Sequence, residues 1–436
     1  MGGERQLLSP LRLSRSEDSS GIRVYSRLSA VNLFFQMSDE SDNRVTHFAR
    51  TNFRTRKVFG IKRRDRRSHM YLIGKTGVGK STLLATLIEQ DIKNGEGLAL
   101  LDPHGDLVEK VLASIPPSRR ADTIYFNVPD RAHPLGFNPL ESVASEKRIL
   151  AASGLLDAFK KLWIDSWGPR LEHILRNALL ALLDQPEATL ADVLRLLNDK
   201  EFRKSVALRL ANKQIYDFWV REFENYPAHF RAEAIAPIQN KVGAFLANPL
   251  LNRILTQPKS AFNLRQVMDG GRILLINLAK GKIGEDTAAL LGALLTTQMG
   301  LAALSRADVP EVQRRDFYLY TDEFSSYTTL SMASMLSELR KYRLNLVLAH
   351  QFLSQLDEQV RDAILGNVGT MVSFRLGVQD AEILKKEFEP EITANDLVNL
   401  PNFNFYIRLM IDGVISHPFS AETIMHESSP GHELPQ

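Results

Sequence analysis

Between positions 74 and 81 the chain reads Gly74-Lys75-Thr76-Gly77-Val78-Gly79-Lys80-Ser81, which fulfils the phosphate-loop pattern G-x-x-x-x-G-K-[ST]. The apolar run 70–73 before it suits a buried strand, and leucines at helical spacing over 81–90 predict a helix after it. Its glycines allow a tight turn in which successive backbone N–H groups and the helix N-terminus face an anion. These flanks disfavour a glycine-rich turn that binds nothing, so the stretch predicts a nucleotide-binding loop.

Two side chains of this loop have direct roles in the predicted chemistry. Lys80 can reach the outer phosphates of a nucleotide, and the Ser81 hydroxyl can hold Mg²⁺. We therefore expect ATP and Mg²⁺ as cofactors. The residues predicted to bind the nucleotide are Gly74, Lys75, Thr76, Gly77, Val78, Gly79, Lys80, Ser81 and Thr82.

Composition is typical of a folded protein larger than one ordinary domain. The chain has 436 residues, of which 44% are hydrophobic and 24% are charged. The lack of cysteine excludes disulfides and thiolate metal sites, and a net charge of +3 is too small to indicate nucleic acid by itself. We see no signal peptide and no stretch as long as a transmembrane helix. The longest apolar runs, such as 288–295, suit a packed core helix.

Further strands follow the phosphate-loop helix. The apolar runs 97–102 and 123–127 predict a second and a third strand, and their alternation with helices implies a parallel sheet. His104 lies in the polar turn after the second strand. Because no second histidine or carboxylate stands at ligand spacing beyond Asp102 and Asp106, we favour a turn residue that faces the nucleotide or a neighbouring subunit over a metal ligand.

Three segments depart from this α/β pattern. Residues 1–49 are polar and irregular and predict a loose arm or a short edge element, whereas 50–67 are densely basic. The basic run either contacts nucleic-acid phosphates or is a solvated approach to the first core strand. From 141 to 262 the periodicity is helical throughout, which predicts an inserted all-helical domain. It holds all three tryptophans, which we assign to packing rather than base stacking because they fall within helical patterns.

A second nucleotide motif follows the strand predicted over 316–321. Asp322 would hold Mg²⁺ through water, and Glu323 would orient or deprotonate an attacking water, which implies hydrolysis. Adjacent acids also commonly start helices, so this assignment depends on the upstream phosphate loop. Gln351, at the polar end of the strand over 344–351, is expected to sense the terminal phosphate, with a structural amide as the alternative.

Basic residues near other strand ends are further candidates. Arg375 follows a strand predicted over 370–374 and could reach across a subunit boundary to the phosphates, and Arg340 and Arg343 compete for that role. The loop 279–284, rich in lysine and glycine, leaves the carboxyl end of a strand, where ligands bind in open α/β sheets. It contacts DNA or a neighbouring subunit, or is an exposed turn.

The ordered set of motifs resembles the conjugative DNA-transfer coupling proteins and their relatives in the FtsK/HerA-like DNA translocase superfamily. The resemblance covers roughly residues 50–419. Besides the phosphate loop, the stretches that carry it are 101–106, 237–243, 279–286, 320–324, 340–345 and 349–351.

The resemblance implies an α/β fold with a RecA-like motor core, a mostly parallel sheet and an inserted all-helical domain. The motor would comprise 50–140 and 263–425, with the insertion at 141–262 and a tail at 426–436. It also implies a ring, a homo-hexamer, that moves DNA through a central channel, and relaxase or secretion-channel proteins as partners. The catalytic residues would be Lys80, Glu323, Gln351 and an arginine acting in trans, Arg375 or Arg340, with Ser81 and Asp322 at the metal.

The chain departs from that family in its first residues. Membrane-anchored coupling proteins carry N-terminal transmembrane helices, and we see none here; the first 45 residues are also too short for the N-terminal barrel of HerA-like relatives. We therefore expect no integral membrane segment and a cytoplasmic location, peripheral at the inner face of the membrane.

Three functions are compatible with these patterns. The first is a Mg²⁺-dependent ATPase ring that translocates DNA without sequence preference. The second is a module that recruits protein substrates to a type IV secretion channel, with the helical insertion as its docking surface. The third is a nucleotide-binding scaffold without turnover, against which Glu323 argues, because a pure binder has no use for a water-directed acid.

Overall fold

The computed structural model describes residues 41–53, 56–141 and 143–424. Residues 45–424 belong to one unit, Val45–Gln436, and residues 41–44 to a separate one. The predicted arm therefore lies outside the described residues up to position 40, and the predicted tail 426–436 lies outside them entirely.

The described residues contain thirteen strands. Their bounds are β1 (Val45–Thr51), β2 (Val58–Lys62), β3 (Met70–Ile73), β4 (Gly97–Asp102), β5 (Thr123–Asn127), β6 (Ile273–Asn277), β7 (Phe317–Thr321), β8 (Leu344–His350), β9 (Thr370–Ser373), β10 (Asn404–Arg408), β11 (Met410–Ile411), β12 (Val414–Ile415) and β13 (Phe419–Thr423).

Eleven of these strands form one sheet in the order β2-β1-β13-β10-β9-β3-β8-β7-β4-β6-β5. The strands from β9 to β5 run parallel, which confirms the predicted mostly parallel α/β sheet. The other four, β10, β13, β1 and β2, extend the sheet as antiparallel neighbours. The phosphate-loop strand β3 therefore lies inside the sheet, next to β8.

Helices connect the strands and cover both faces. Those before β6 are α1 (Arg63–Arg66), α2 (Lys80–Lys93), α3 (Asp106–Ser114), α4 (Pro117–Arg120), α5 (Arg148–Leu162), α6 (Pro169–Leu183), α7 (Ala191–Asn198), α8 (Lys200–Ala207), α9 (Lys213–Asp217), α10 (Ala228–Ala247), α11 (Pro249–Leu255) and α12 (Leu264–Asp269). Those after β6 are α13 (Lys280–Ile283), α14 (Glu285–Ser305), α15 (Leu330–Leu339), α16 (Glu358–Asn367), α17 (Val378–Leu384) and α18 (Ala394–Val398).

Strand alternation divides the apolar side chains between two cores. In β3, Leu72 packs in the core under α2 and α3. Tyr71 packs in the other core, under α14 and the helices between β5 and β6, which we call the helical segment. Successive side chains of a strand point to opposite faces, so a continuous apolar strand needs helices on both sides. The phosphate-loop helix α2 thus packs on one face, and the helices between β5 and β6 share a core with the other.

The antiparallel pairing at one end of the sheet was not predicted. β1 begins at Val45, inside the stretch expected to be a loose arm or a short edge element, and a loose arm is therefore wrong for residues 45–49. The strand buries Phe48 and Ala49 among polar neighbours, and its partner β13 comes from the other end of the chain. A half-buried strand whose partner is so remote leaves only a weak local pattern.

The segment between β5 and β6 is helical, without a strand among its described residues 128–141 and 143–272. Trp163 and Trp219 are buried in it, and Trp163 stacks on Phe159 with ring centroids 4.7 Å apart, which fits the packing role expected for the tryptophans. Its first helix, α5, packs against α14 and α15 of the sheet region. The limits 141 and 262 of a separate domain stay a prediction.

One described helical stretch, Glu285–Asp308, is long and apolar enough to cross a membrane, but 83% of its apolar window is buried inside the protein. The expectation that no stretch reaches this length is therefore wrong, although the burial is that of a core helix. Thr296 and Thr297 interrupt the apolar run in the sequence. The Thr296 hydroxyl donates to the Gly292 carbonyl at 2.5 Å, so it is satisfied inside the helix.

Candidate nucleotide site

The phosphate loop joins β3 to α2 at the carboxyl edge of the parallel strands. Gly77 and Gly79 have positive φ angles of 76° and 114°, a backbone region that side chains with a Cβ seldom adopt. A Cβ on Gly79 would also lie 2.8 Å from Cδ1 of Phe403. Glycine is therefore required at position 79 both by conformation and by the aromatic ring beside it.

Lys80 is the first residue of α2 and is buried. Its Nζ donates to the carbonyl oxygens of Gly74 at 2.6 Å and Lys75 at 3.0 Å, which holds the ammonium inside the loop. Burial lowers the pKa of Lys80, and the carboxylates of Asp322 and Glu323 act in the opposite direction. The ammonium is thus kept near two negative charges without a direct ion pair to either.

Ser81 and Asp322 form the oxygen-rich part of the site. The Ser81 hydroxyl donates to Asp322 Oδ2 at 3.1 Å, across the gap between α2 and the end of β7. Burial raises the pKa of Asp322, as do the nearby charges of Asp102 and Glu323, while Ser81 and Lys80 oppose the rise. A buried carboxylate next to two others is an arrangement that a cation would relieve.

Glu323 and Gln351 meet from neighbouring strands, β7 and β8. Glu323 has a left-handed backbone, with φ 52° and ψ 48°, and its Oε1 accepts a hydrogen bond from Gln351 Nε2. Gln351 Oε1 accepts from the Thr76 hydroxyl at 2.8 Å. The Gln351 amide therefore links the phosphate loop to Glu323, and its role as a sensor stays a prediction.

These side chains converge on one cavity of ≈ 280 Å³. Most residues predicted for the site line it. They are Thr76, Gly77, Gly79, Lys80, Ser81, Thr82, Asp322, Glu323 and Gln351. Gly74, Lys75 and Val78 shape the loop without lining the cavity, and Val78 is fully buried beneath it.

Two further residues line the cavity, His104 and Phe403. His104 is exposed there, and no group of three metal-ligating side chains occurs in the part of the chain that the structure describes. A residue that faces the nucleotide is the alternative that this position favours. Phe403 was not predicted, because its place depends on a hydrogen bond from its N–H to the Val78 carbonyl at 2.7 Å.

Asp102 has a structural task next to the cavity. Its carboxylate is almost fully buried and accepts from the backbone N–H groups of His104 at 2.9 Å and Val108 at 3.0 Å. It therefore fixes the turn between β4 and α3, and its charge is one of the causes of the raised pKa of Asp322.

None of the three candidate arginines lines the nucleotide cavity of its own chain. Arg375 donates to the Leu400 carbonyl at 3.1 Å and to Asn402 Oδ1 at 2.9 Å, so it is held against the loop before Phe403. Arg340 is exposed at the amino end of β8, a seven-residue strand, and so stands about 23 Å from Gln351 at roughly 3.3 Å per residue. Arg343 is within 3.6 Å of Glu311.

The basic run 50–67 is tied into the fold. Arg66 forms a buried bidentate ion pair with Asp91, at 2.5 and 2.9 Å, and Arg67 pairs with Asp316 at 2.8 Å. Arg63 pairs with Glu96 at 3.2 Å. A solvated approach is therefore wrong for these three arginines, whereas contact with nucleic-acid phosphates stays a prediction. The acids that neutralise them lie 25 to 249 residues away in the sequence, so a local charge count could not reveal the pairs.

Solved structures with a similar fold include a plasmid coupling protein and VirB4. The chain shares 16% identity with the plasmid coupling protein TrwB in complex with ADP and Mg²⁺, with a TM-score of 0.61 over 90% of this chain and 92% of that one. VirB4 of Thermoanaerobacter pseudethanolicus gives 15% identity and a TM-score of 0.57 over 89% and 98%. These similarities support the expected RecA-like fold. No curated protein matches the sequence significantly.

A family match agrees with this fold and identifies the chain more closely. The family described as type IV secretion-system coupling protein DNA-binding domain matches residues 56–388, which include the phosphate loop, the helical segment and the acid pair. That range covers most of the chain. The chain therefore belongs to the type IV secretion-system coupling proteins, as the resemblance in its motifs implied.

Proposed function

We propose that this protein is a Mg²⁺-dependent ATPase that assembles into a hexameric ring and translocates DNA in type IV secretion. One observation carries the proposal: a phosphate loop, an acid pair and an amide from three adjacent strands converge on one cavity. A nucleotide-binding scaffold needs the loop, but it has no need of Glu323 and Gln351 in mutual contact there.

The residues present fit ATP and Mg²⁺. Ser81 and Asp322 offer the hard oxygen donors that Mg²⁺ prefers, and the buried carboxylates beside them would be relieved by a cation. When bound, Mg²⁺ would neutralise phosphate charge. The similar coupling protein TrwB has been solved with ADP and Mg²⁺ and with a non-hydrolysable ATP analogue, which agrees with this assignment.

Each side chain has a task in hydrolysis. Lys80 and the N–H groups of the glycine-rich loop bind the phosphates, since that loop opens α2 at its positive end. Glu323 orients the attacking water and accepts its proton. Gln351 holds the Glu323 carboxylate and, through Thr76, keeps it in register with the phosphate loop.

A ring would complete the site with an arginine from a neighbouring subunit. Arg340 suits this role better than Arg375, because Arg375 is already bonded to the 400–402 loop of its own chain. In the described residues Arg340 has neither a hydrogen bond nor an ion pair from its side chain, and it is too far from its own Gln351 to act within one subunit. We therefore assign the trans-acting arginine to Arg340.

DNA would contact the carboxyl edge of the sheet. Lys280 and Lys282 lie in α13, the short and partly exposed helix after β6, and the Lys280 N–H donates to the Pro103 carbonyl at 2.7 Å. This contact places residues 279–284 beside the turn that carries His104. Contacts of this kind are backbone-directed and salt-dependent.

Glu323→Gln tests the catalytic assignment. The amide keeps the size of the side chain but cannot accept a proton, so we expect hydrolysis to fall by about 10² to 10⁴ while nucleotide affinity is retained. Hydrolysis at the wild-type rate would refute the role of Glu323. Lys80→Ala serves as the matched control, because it should lose nucleotide binding as well.

A second candidate function is recruitment of protein substrates, such as a relaxase, to a secretion channel. The large helical segment between β5 and β6 contributes no side chain to the nucleotide cavity, which leaves its outer surface available for a partner. Hydrolysis indifferent to DNA but stimulated by a relaxase would favour this function. Both candidates fit a protein in the cytoplasm at the inner face of the membrane.

A further inference from the structure

The segment that follows Glu323 is held from outside by one helix of the helical segment. Lys161, in the last turn of α5, donates from Nζ to the carbonyl oxygens of Ser325 at 2.5 Å and Thr328 at 2.8 Å. Asp157, four residues earlier and hence on the same face of α5, accepts from the Ser331 N–H at 3.0 Å and from its hydroxyl. We call Asp157 and Lys161 the clamp.

The clamp holds the part of the chain that positions Glu323. Segment 324–331 runs from the acid to the start of α15, and Ser331 lies in the first turn of that helix. Phe324 and Tyr327 anchor its inner side in the core, since both are almost fully buried. The outer side is fixed through the Lys161 and Asp157 contacts, so the position of α5 determines where this segment can lie.

Lys161 is a costly choice for stability alone. It is largely buried, and no carboxylate among the described residues forms an ion pair with it, so burial lowers its pKa to about 8. An apolar side chain of similar length would avoid this desolvation. A buried lysine bonded only to two carbonyls of a catalytic loop is better explained by a positioning role.

The inner end of the same segment is connected to the phosphate loop. Glu323 accepts from Gln351, which accepts from Thr76, and the Ser325 hydroxyl donates to Gln355 Oε1 at 3.3 Å. Glu323 also has a left-handed backbone, a strained conformation that persists only where the surroundings hold it. Contacts therefore run without a gap from the phosphate loop through Glu323 and Ser325 to Lys161 on α5.

From these contacts we propose that Lys161 is a positioning residue that couples the helical segment to Glu323. The coupling acts in both directions. Nucleotide at the phosphate loop shifts α5 through segment 324–331, and a partner that displaces the helical segment changes the placement of Glu323. This inference rests on the proposed function, because it describes the regulation of that site.

Tryptophan emission gives a readout that does not depend on hydrolysis. All three tryptophans lie in the helical segment, and Trp163 follows the last residue of α5 directly. The Trp163 ring stacks on Phe159 at 4.7 Å and on Phe245 at 5.8 Å, so its surroundings change when α5 moves. Addition of a non-hydrolysable ATP analogue to the full chain should therefore alter the emission.

Lys161→Met is the test variant and Lys160→Met its control. The clamp borders a cavity of ≈ 340 Å³, so water can reach the Ser325 and Thr328 carbonyls once the ammonium is removed, and the variant should fold. Lys160 is the neighbouring exposed lysine, and its side chain makes neither a hydrogen bond nor a salt bridge in the described part of the chain. The two variants lose the same charge from the same helix.

The expected result separates positioning from binding. For Lys161→Met we expect kcat to fall about tenfold or more, because Glu323 is displaced. KM should change less than about twofold, because the phosphate loop stays intact. The emission response to the analogue should be lost, because the contact between segment 324–331 and α5 is removed. Lys160→Met should match the wild type in all three measurements. Lys161→Arg, which keeps the charge and the donors, should recover part of the response.

Three outcomes would overturn the inference. They are unchanged kcat and emission response in Lys161→Met, loss of kcat with an unchanged response, and loss of the response with unchanged kcat. Failure of the proposed function looks different. A wild-type protein that binds the analogue without hydrolysing ATP would refute the ATPase, and the emission comparison would then decide whether α5 responds to the nucleotide through Lys161.

Discussion

Removal of Asp91 is expected to lower the stability of the protein, because its partner Arg66 would be left as an unpaired buried charge. The Arg66 and Asp91 side chains are 2% and 0% exposed, and Tyr320 donates to the same carboxylate at 2.5 Å. Loss of one partner of a buried ion pair costs about 3–5 kcal/mol. The Arg66 guanidinium also lies 3.8 Å from the centre of the Tyr318 ring, and the residue is buried, so its charge would stay away from solvent.

This free energy converts into a measurable shift of the melting temperature. A unit of about 390 residues, with an unfolding entropy of roughly 2.1 cal/mol/K per residue, has about 0.8 kcal/mol/K in total. Asp91→Ala should therefore lower the midpoint by about 4 to 6 °C in a thermal unfolding scan. Asp91→Asn, which keeps the shape and loses the charge, should fall between this value and the wild type.

Arg50→Ala provides the matched control. Arg50 also forms an ion pair, with Glu422, but its side chain is 48% exposed. Exposed pairs contribute about 0–1 kcal/mol, so its midpoint should shift by no more than about 1 °C. If Asp91→Ala and Arg50→Ala gave equal shifts, the conclusion that the basic run is a structural element of the fold would be wrong.

Three further predictions concern the site and the clamp. Arg340→Ala should lower the hydrolysis rate by about 10³ to 10⁵, the usual effect of losing a trans-acting arginine, whereas Arg375→Ala should leave most of the rate; the opposite ranking in a steady-state assay would exchange their roles. The free energy of unfolding should rise with pH above about 8, because the pKa of Lys161 is about 8 in the folded protein and near 10.5 when unfolded, so the unfolded chain binds more protons between these values. Denaturant midpoints measured from pH 7 to pH 10 should show this contribution in Lys160→Met but not in Lys161→Met, and equal slopes would contradict the buried charge. Chelation of Mg²⁺ should abolish hydrolysis, with recovery on its return, and hydrolysis that persists in chelator would exclude Ser81 and Asp322 as metal-binding residues.

Local patterns predicted the parts of the site that depend on backbone conformation. The phosphate loop and the pair Asp322 and Glu323 each follow an apolar strand, and parallel strands bring their carboxyl ends to the same edge of a sheet. Because Gln351 also follows an apolar strand, the sequence could place it near the phosphate loop and the acid pair as well. Arg375 was a candidate for the trans-acting arginine because it follows a predicted strand. Its hydrogen bonds to the 400–402 loop could not be predicted from its place in the sequence.

Other features depend on contacts between remote parts of the chain. Phe403 reaches the phosphate loop only because β10 brings its loop beside Val78, and Lys161 meets Ser325 only because α5 packs against α14 and α15. The basic residues 63–67 looked exposed in the sequence because their acidic partners, Asp91 and Asp316, are distant in it. Charge counts and periodicity carry no information about such pairs.

ATP hydrolysis by the purified full chain, with and without DNA and with Lys80→Ala alongside, tests the proposed function most directly. The proposed motor predicts that DNA strongly stimulates hydrolysis and that Lys80→Ala, which removes the ammonium held at Gly74 and Lys75, abolishes it. The stimulation should weaken as salt rises, because the expected DNA contacts are to phosphates. Hydrolysis by the wild type at the same rate with and without DNA would contradict a DNA translocase.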